Sequence, residues 1–314
     1  MTPPDLSVAV VTHNGRELAL ATLRSARENA GPIDVEWLVV DSGSSDGTPD
    51  AIESQLPDVQ VFRAPNRGFA HGNNVALKRA QGRYVLLLNP DVEVEHGTLS
   101  RLVEALDARP AVGAAGVVQR GTDRRLLPSI RRFPSPVRDL GEALFAARWP
   151  VLRHLQELDV DFDRYFEERP ADWVSGAFLV ARREAIEQVG PLDERFFLYS
   201  EEIDWCYRIR RAGWQIAHLP VMEVIHHGGP ATAERVAEEC RSRVLYARKH
   251  MGRRRAAGVR GALAVKHALR LVLLAGPAAC RPQLRPRLRA EAFGLAVLAG
   301  VKRPPLSESS RCAE

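Results

Sequence analysis

Three carboxylates within four residues, Glu201, Glu202 and Asp204, are the group in this chain best placed to do chemistry. They follow an aromatic run (Phe196, Phe197, Tyr199). Ile203, Cys206, Tyr207 and Ile209 recur at the three-to-four-residue spacing of an amphipathic helix, which Gly213 is placed to end. Glu202 lies one turn before Trp205 and Cys206, at the border of the buried face. Partial burial beside two like charges raises a carboxyl pKa, which makes Glu202 a candidate general base near neutrality. Acids in a first helical turn also complement the helix dipole, with Ser200 as N-cap. Three carboxylates behind an aromatic segment exceed what a cap requires.

The elements that must position such a base begin near the start of the chain. Apolar runs at Leu6–Val11, Val35–Val40, Val59–Phe62 and Tyr84–Leu88 read as strands, with helices over about Glu17–Glu28 and Asn73–Ala80 between them. Strands alternating with helices imply an α/β protein built on a parallel sheet with right-handed crossovers. Polar loops follow three of the strands: Thr12-His13-Asn14-Gly15, Asp41-Ser42-Gly43-Ser44-Ser45-Asp46-Gly47-Thr48 and Asn89-Pro90-Asp91. Ligands bind at the carboxyl ends of strands in open parallel sheets, so these loops point to one site. No GxGxxG follows the first strand and no GxxxxGK[ST] occurs, which argues against a dinucleotide dehydrogenase and a P-loop nucleotidase.

Five segments, taken in order, carry a resemblance. VVTHNGRELALATLRSA, VVDSGSSDGT, NRGFAHGNNVAL, YVLLLNPDV and SGAFLVARREAIEQVGPLDERFFLYSEEIDWCYRIRRAGW resemble the successive motifs of family 2 inverting glycosyltransferases, nearest to the bacterial rhamnosyltransferase-like branch. The likeness covers about residues 6–229. It implies a GT-A nucleotide-diphospho-sugar transferase fold over 1–250, a Rossmann-like, mostly parallel sheet. Its nucleotide-sugar half would occupy about 1–118 and its acceptor and catalytic-base half about 170–230. Where the family usually has Glu-Asp this chain reads Glu201-Glu202, keeping the carboxylate but lengthening it by a methylene.

The resemblance also implies roles. Thr12, Asn14, Asp41, Arg67, Gly68 and Asn89 would bind the nucleotide sugar, with Asp41 accepting a hydrogen bond from a pyrimidine N–H. Asp91 would act with a divalent cation, Mn2+ or Mg2+, on the leaving diphosphate. The family's Asp-x-Asp reads Asn89-Pro90-Asp91 here, so Asp91 carries the charge interaction. His226, after a short strand at Val221–Ile225, is the second expected metal ligand, with His227 as its rival; an imidazole beside carboxylates suits manganese somewhat better. Trp173, Ser175, Gly176, Glu201 and Asp204 would line the acceptor pocket. The expected reaction moves L-rhamnose from dTDP-rhamnose to a hydroxyl of a cell-envelope glycan or polyprenyl-diphosphate-linked acceptor. UDP-galactofuranose, UDP-glucose and UDP-N-acetylglucosamine are alternative donors, and a non-catalytic sugar-nucleotide or glycan-binding module is an alternative from another class.

At 314 residues, 45% hydrophobic and 26% charged, the composition is that of a globular protein. The amino terminus lacks the basic n-region of a secretory signal. Cys206, Cys240, Cys280 and Cys312 show no metal or disulfide spacing, as expected for a reducing cytoplasm. Arg120–Arg169, rich in Arg and Pro, reads as a flexible acceptor-side loop or small helical insert. Residues 1–240 contain 27 basic and 36 acidic side chains, whereas residues 241–290 contain 14 Lys/Arg and no acid. The basic tail, 251–314, holds apolar stretches at Leu263–Ala275 and Ala292–Val301. Lys266, His267 and Arg270 interrupt the first, so neither reads as a membrane span. Amphipathic helices lying on an anionic membrane surface fit instead, which would place the protein peripherally at the inner face of the plasma membrane. The stretch lacks interleaved aromatics, so nucleic acid is not the expected partner.

Overall fold

Unbroken apolar runs become the central strands. The computed structural model describes residues 2–144, 148–229 and 232–302. The chain divides into two compact units. The first holds the residues up to Arg131, Asp161–Glu194 and Glu202–Gly228; the second holds Arg132–Val160, Arg195–Glu201 and the residues from Gly229 on.

The first unit is organised by a ten-stranded sheet. In chain order its strands are β1 (Leu6–Thr12), β2 (Val35–Asp41), β3 (Gln60–Arg63), β4 (Tyr84–Leu88), β5 (Val92–His96), β6 (Val112–Arg120) and β7 (Leu126–Leu127). A two-residue strand β8 (Ile130–Arg131) precedes β9 (Arg169–Ala171), β10 (Trp173–Val174), β11 (Phe178–Arg182) and β12 (Gln215–His226). The sheet order is β3-β2-β1-β4-β11-β6-β12-β5, with β7 on β6 and β9 on β12, while β8 and β10 form a separate pair. β1 through β4 run parallel; β11 lies antiparallel between β4 and β6. β12 is far longer than the short strand the sequence suggested, because it pairs with β6, β5 and β9 at once.

Helices α1 (Arg16–Glu28), α2 (Thr48–Gln55), α3 (Phe69–Leu77) and α4 (Leu99–Asp107) follow β1, β2, β3 and β5. Leu20 and Leu23 of α1, Ile52 of α2 and Leu102 and Leu106 of α4 join the strand residues Val8, Val10, Leu86 and Leu88 in one core. α3 starts four residues before the expected Asn73. Its glycine permits the approach: a Cβ on Gly72 would stand 2.5 Å from Val11 Cγ1.

The second unit is helical. It contains α5 (Pro136–Ala143) and, beyond Gly229, α8 (Ala233–Met251), α9 (Arg253–Cys280) and α10 (Arg285–Leu298); α6 (Arg183–Val189) and α7 (Glu201–Arg211) lie between in the sequence. Cys240, Ala247, Ala256, Val259, Leu263 and Leu298 form its apolar centre. The segment read as a flexible loop or small helical insert contains, among the described residues, helix α5, two short 3-10 turns (Pro150–Leu155, Phe162–Phe166) and strands β7 to β9.

The apolar stretch read at Leu263–Ala275 lies within a longer helix. α9 runs 28 residues without a break, and by length and composition alone it could cross a membrane, with a mean hydropathy of 1.4 over its most apolar window. The charges read as interruptions are accommodated. Lys266 Nζ donates to Glu142 Oε1 at 3.0 Å, His267 Nδ1 meets Glu291 Oε2 at 2.6 Å, and Arg270 lies 3.5 Å from Glu291 Oε1. Cys312 and the rest of the tail from residue 303 lie outside the described residues.

Candidate functional site

Loops after β1 and β2 are tied together at the strands' carboxyl ends. Ser42 N donates to Thr12 O, Asn14 N to Ser44 Oγ, and Ser45 N to Asn14 Oδ1. A single carboxylate serves both following helices. Asp46 Oδ2 accepts from Gly15 N and Arg16 N at the start of α1, and Oδ1 accepts from Thr48 N at the start of α2. These bonds, led by the Thr48 hydroxyl, hold the Asp46 carboxyl down at about 2. Sequence reasoning passed over Asp46 as a turn residue; its place just before the start of α2 was the signal, and its second role at α1 comes from the fold.

Within this frame Asp41 is 2% exposed. Its Oδ2 accepts from Gly43 N at 3.1 Å and Ser44 N at 2.9 Å, while Oδ1 is shielded from solvent and meets no partner. Arg67 Nε and Asn89 Oδ1 are likewise shielded and unmatched. Asp41 closes β2, Arg67 lies between β3 and α3, and Asn89 follows β4, so each stands past or at the carboxyl end of a parallel strand, where ligands of open parallel sheets bind. Gly68, beside Arg67, sits at φ 100°, a conformation that side chains rarely adopt, at the start of α3. Thr12 is 1% exposed and its hydroxyl reaches Asn14 O at 3.4 Å, so it supports the loop from within.

The turn after β4 carries the second part. Asn89 N donates to Ala177 O, Val92 N to Asn89 O, and His227 N to Asp91 O. His226 Nε2 comes within 3.5 Å of Asp91 Oδ1, whereas His227 Nε2 turns to Glu93 Oε1 at 2.5 Å. The structure therefore joins His226, not its neighbour, to Asp91. One carboxylate, one amide oxygen and one imidazole suit a hard divalent cation that takes its remaining ligands from phosphate oxygens and water. Among the described residues no group of three or more His, Cys, Asp or Glu side chains forms a protein-only metal site.

Glu202 lies at the start of α7, which is clamped from two sides. Trp205 Nε1 donates to Gly190 O at 3.0 Å, and the Arg208 guanidinium donates to Val189 O, Gly190 O and Pro191 O. Cys206 is fully buried and bonds the backbone of Val174; burial, aided by the nearby Glu202 charge, pushes its thiol up to about 12. A Cβ on Gly176 would stand 3.4 Å from Glu202 Cβ and 3.9 Å from Cδ. Gly176, half-buried in the turn before β11, thus faces the Glu202 side chain, and the next residue, Ala177, holds Asn89. Two consecutive left-handed residues, Tyr199 (φ 66°) and Ser200 (φ 68°), precede the helix, so Ser200 lacks the extended backbone of an N-cap.

Three residues expected at an acceptor sit differently. Trp173 is 4% exposed, with the Arg131 guanidinium 5.0 Å from its ring, so no open indole face is offered to a sugar. Asp204 is completely buried and its Oδ2 accepts from Arg208 Nε at 2.9 Å, which orients the guanidinium that holds the 189–191 turn. Glu201 is buried, at 4% exposure. The aromatic run is also interior: Phe196 is fully buried and Phe197 nearly so. Asn74, not singled out in the sequence, bonds Leu192 N, Leu192 O and Glu194 Oε1, and so ties α3 to the segment leading toward α7.

Residues 7–189 match glycosyl transferase family 2. The chain belongs to that family. It is 33% identical over 289 residues to the N-acetylglucosaminyl-diphospho-decaprenol L-rhamnosyltransferase of Mycobacterium tuberculosis, covering 83% of this chain and 91% of that protein. It is 24% identical over 168 residues to the rhamnosyltransferase WbbL of Escherichia coli K12, covering 51% and 61%. Among solved structures it resembles the mannosyltransferase PcManGT of Pyrobaculum calidifontis in complex with GDP-Man and Mn2+. That likeness has a TM-score of 0.57 at 21% identity over 96% of this chain and 87% of that one. It also resembles Staphylococcus aureus TarS 1–349 in complex with UDP, with a TM-score of 0.54 at 18% identity over 99% and 92%. The protein is a nucleotide-sugar glycosyltransferase with the GT-A fold expected from its motifs.

Proposed function

We propose that this glycosyltransferase inverts the anomeric centre of its donor sugar in a single displacement, with Glu202 as general base. The carrying observation is the chain of contacts Glu202–Gly176 and Ala177–Asn89, which keeps a shielded carboxylate within a few residues of the donor rim. Glu202 takes the proton of an acceptor hydroxyl. The oxygen attacks the anomeric carbon, and the bond to the diphosphate oxygen breaks with its electron pair leaving on the nucleotide. A single base without a covalent nucleophile gives inversion.

Asp91 and His226 would hold a divalent cation, Mn2+ or Mg2+. Such a cation supplies Lewis-acid stabilisation of charge on the departing diphosphate. Asp41 and Arg67 read the nucleotide through their unmatched polar atoms, Thr12 and Asn14 hold the loop, and Gly68 allows backbone approach. Ser175 and Gly176 border the acceptor hydroxyl. The donor is dTDP-L-rhamnose and the acceptor a polyprenyl-diphosphate-linked sugar, a reading supported by the 33% identity to a decaprenol-linked rhamnosyltransferase. The basic residues after 250 bring the enzyme to the anionic inner face of the membrane, where such an acceptor resides.

The test is nucleoside-diphosphate release from a panel of sugar nucleotides with a membrane lipid extract as acceptor source. Release from dTDP-rhamnose that depends on extract, is lost on chelation, and falls by about 10²–10⁴ in Glu202→Gln with unchanged nucleotide affinity is the expected result. Substantial transfer by Glu202→Gln would remove it from the role of base.

A further inference from the structure

Helix α5 is built inside out. Asp139 is 2% exposed and Glu142 turns inward to Lys266, while Val137, Leu140 and Leu144 stand 60%, 41% and 57% exposed. The inward acids have a clear cause. Arg243 and Lys266, both 7% exposed, lie beneath the helix; Glu157 pairs with Arg243 and Glu142 with Lys266, and the buried Asp139 feels the Arg243 charge. Nothing in that network requires the outward positions to be apolar. On a surface in contact only with water, polar residues there would serve equally, and exposed apolar residues gathered in one region mark an interaction site.

The apolar surface continues beyond α5. Trp149, shortly after it, is 64% exposed, and on α9 Val272 and Leu273 are 75% and 57% exposed. The two helices run side by side in the same direction: Gly258 meets Pro136, and Lys266 meets Glu142. Leu144 and the Val272–Leu273 pair therefore lie toward the same end. Following that end come Arg281, Arg285, Arg287 and Arg289, all exposed; among the described residues none of them is paired with a carboxylate. Large apolar side chains next to unneutralised arginines are complementary to one surface in particular, an anionic bilayer, whose phosphates meet the cations while its acyl boundary takes the apolar groups.

We infer that Val137, Leu140, Leu144, Trp149, Val272 and Leu273 form a membrane wedge that enters the headgroup–acyl boundary of an anionic bilayer. This rests on the membrane-associated transferase reading above and goes beyond it, because it extends the lipid contact from the basic tail to α5 and Trp149 and makes it apolar as well as electrostatic.

The experiment is sedimentation of the full chain with vesicles of phosphatidylcholine alone or mixed with phosphatidylglycerol, combined with quenching of tryptophan fluorescence by brominated lipid. Four proteins are compared: the parent, Val137→Ser/Leu140→Ser/Leu144→Ser, Arg281→Ser/Arg285→Ser/Arg287→Ser, and Trp149→Phe. All the changed residues are exposed, and thermal melting checks that each variant is folded. The expected result is binding to anionic vesicles that weakens by about tenfold or more in the leucine–valine variant. Quenching in the parent should disappear in Trp149→Phe. Undiminished binding by the apolar variant, with loss in the arginine variant, overturns the wedge while leaving the basic-tail reading intact. No binding of the parent to any vesicle overturns both, and donor hydrolysis, measured in parallel, shows separately whether the transferase reading stands. Conversion of a dimer to a monomer by the apolar substitutions would assign the face to a second copy of the chain and also overturn the proposal.

Discussion

Replacing Asp41 by Asn tests the nucleotide site through one atom. In the native side chain Oδ2 is engaged by Gly43 N and Ser44 N, and Oδ1 is buried without a partner. An amide keeps one oxygen for the two backbone donors and presents an NH2 where Oδ1 stood. A ligand N–H then faces a donor instead of an acceptor. Hydrogen bonds to a charged group contribute about 1.5–3 kcal/mol, which corresponds to a roughly 10- to 150-fold weaker affinity for a pyrimidine nucleoside diphosphate. The fold should suffer much less. The two backbone bonds persist as neutral ones, a loss of about 1 kcal/mol or a few degrees in Tm. Titration calorimetry with the nucleoside diphosphate, alongside a thermal melt, measures both quantities. Unchanged affinity in a folded Asp41→Asn protein would refute the assignment of Oδ1 to the ligand, and a collapse of Tm would reassign Asp41 to loop structure.

Gly72→Ala should lower stability by about 1–3 kcal/mol, since the new methyl would overlap Val11 Cγ1 at 2.5 Å; Val11→Ala in the same chain should recover part of that loss in a denaturation series. Burial pushes the Asp139 carboxyl up to about 7, against the pull of Arg243. The folded state therefore keeps a proton that the unfolded chain releases between about pH 4 and 7, and this group's contribution to stability falls as pH rises through that window, by no more than about 4 kcal/mol. Asp139→Asn should flatten that slope in melts taken from about pH 5 to 8; an unaltered slope would place the titration elsewhere. Asp204→Asn, by breaking a buried pair with Arg208, should cost about 3–5 kcal/mol of stability and, by loosening the Arg208 clamp on α7, lower turnover with the acceptor KM unchanged. A stable variant with a raised acceptor KM would instead restore Asp204 to the acceptor site.

The donor rim was legible because two signals coincide in it. Five-to-seven-residue apolar runs have few alternatives to buried strands, and the loops that follow them are polar in the pattern of one family. Asp41, Asn89 and Asp91 emerge on that rim for reasons visible in one dimension. What escaped was decided by residues far away in sequence. Trp173 reads equally well as a sugar platform or a core residue until Arg131 is seen over its ring. The length of α9 depends on Glu142 and Glu291 taking up Lys266 and His267. The inversion of α5 depends on Arg243, about a hundred residues on, and no periodicity within α5 could announce it.

The three carboxylates that first drew attention illustrate where such reading could have gone further. With 3.6 residues per turn, positions two apart on a helix point about 200° away from each other. Glu202 and Asp204 therefore cannot both line one pocket, and the sequence alone contained that constraint. Asp204 takes the inward direction, where Arg208 follows it by four residues and carries the charge onward to the carbonyls of 189–191. Glu202 takes the direction of Gly176, whose missing side chain leaves room beside the carboxylate where the proposed acceptor hydroxyl would stand. Trp205, Cys206 and Arg208 fix the helix on its other sides, so the proposed base is held in place by the 189–191 turn and Val174. A base held this way depends on its clamp: loosening Trp205 or Arg208 should lower turnover through misplacement of Glu202, even with every reacting group still present.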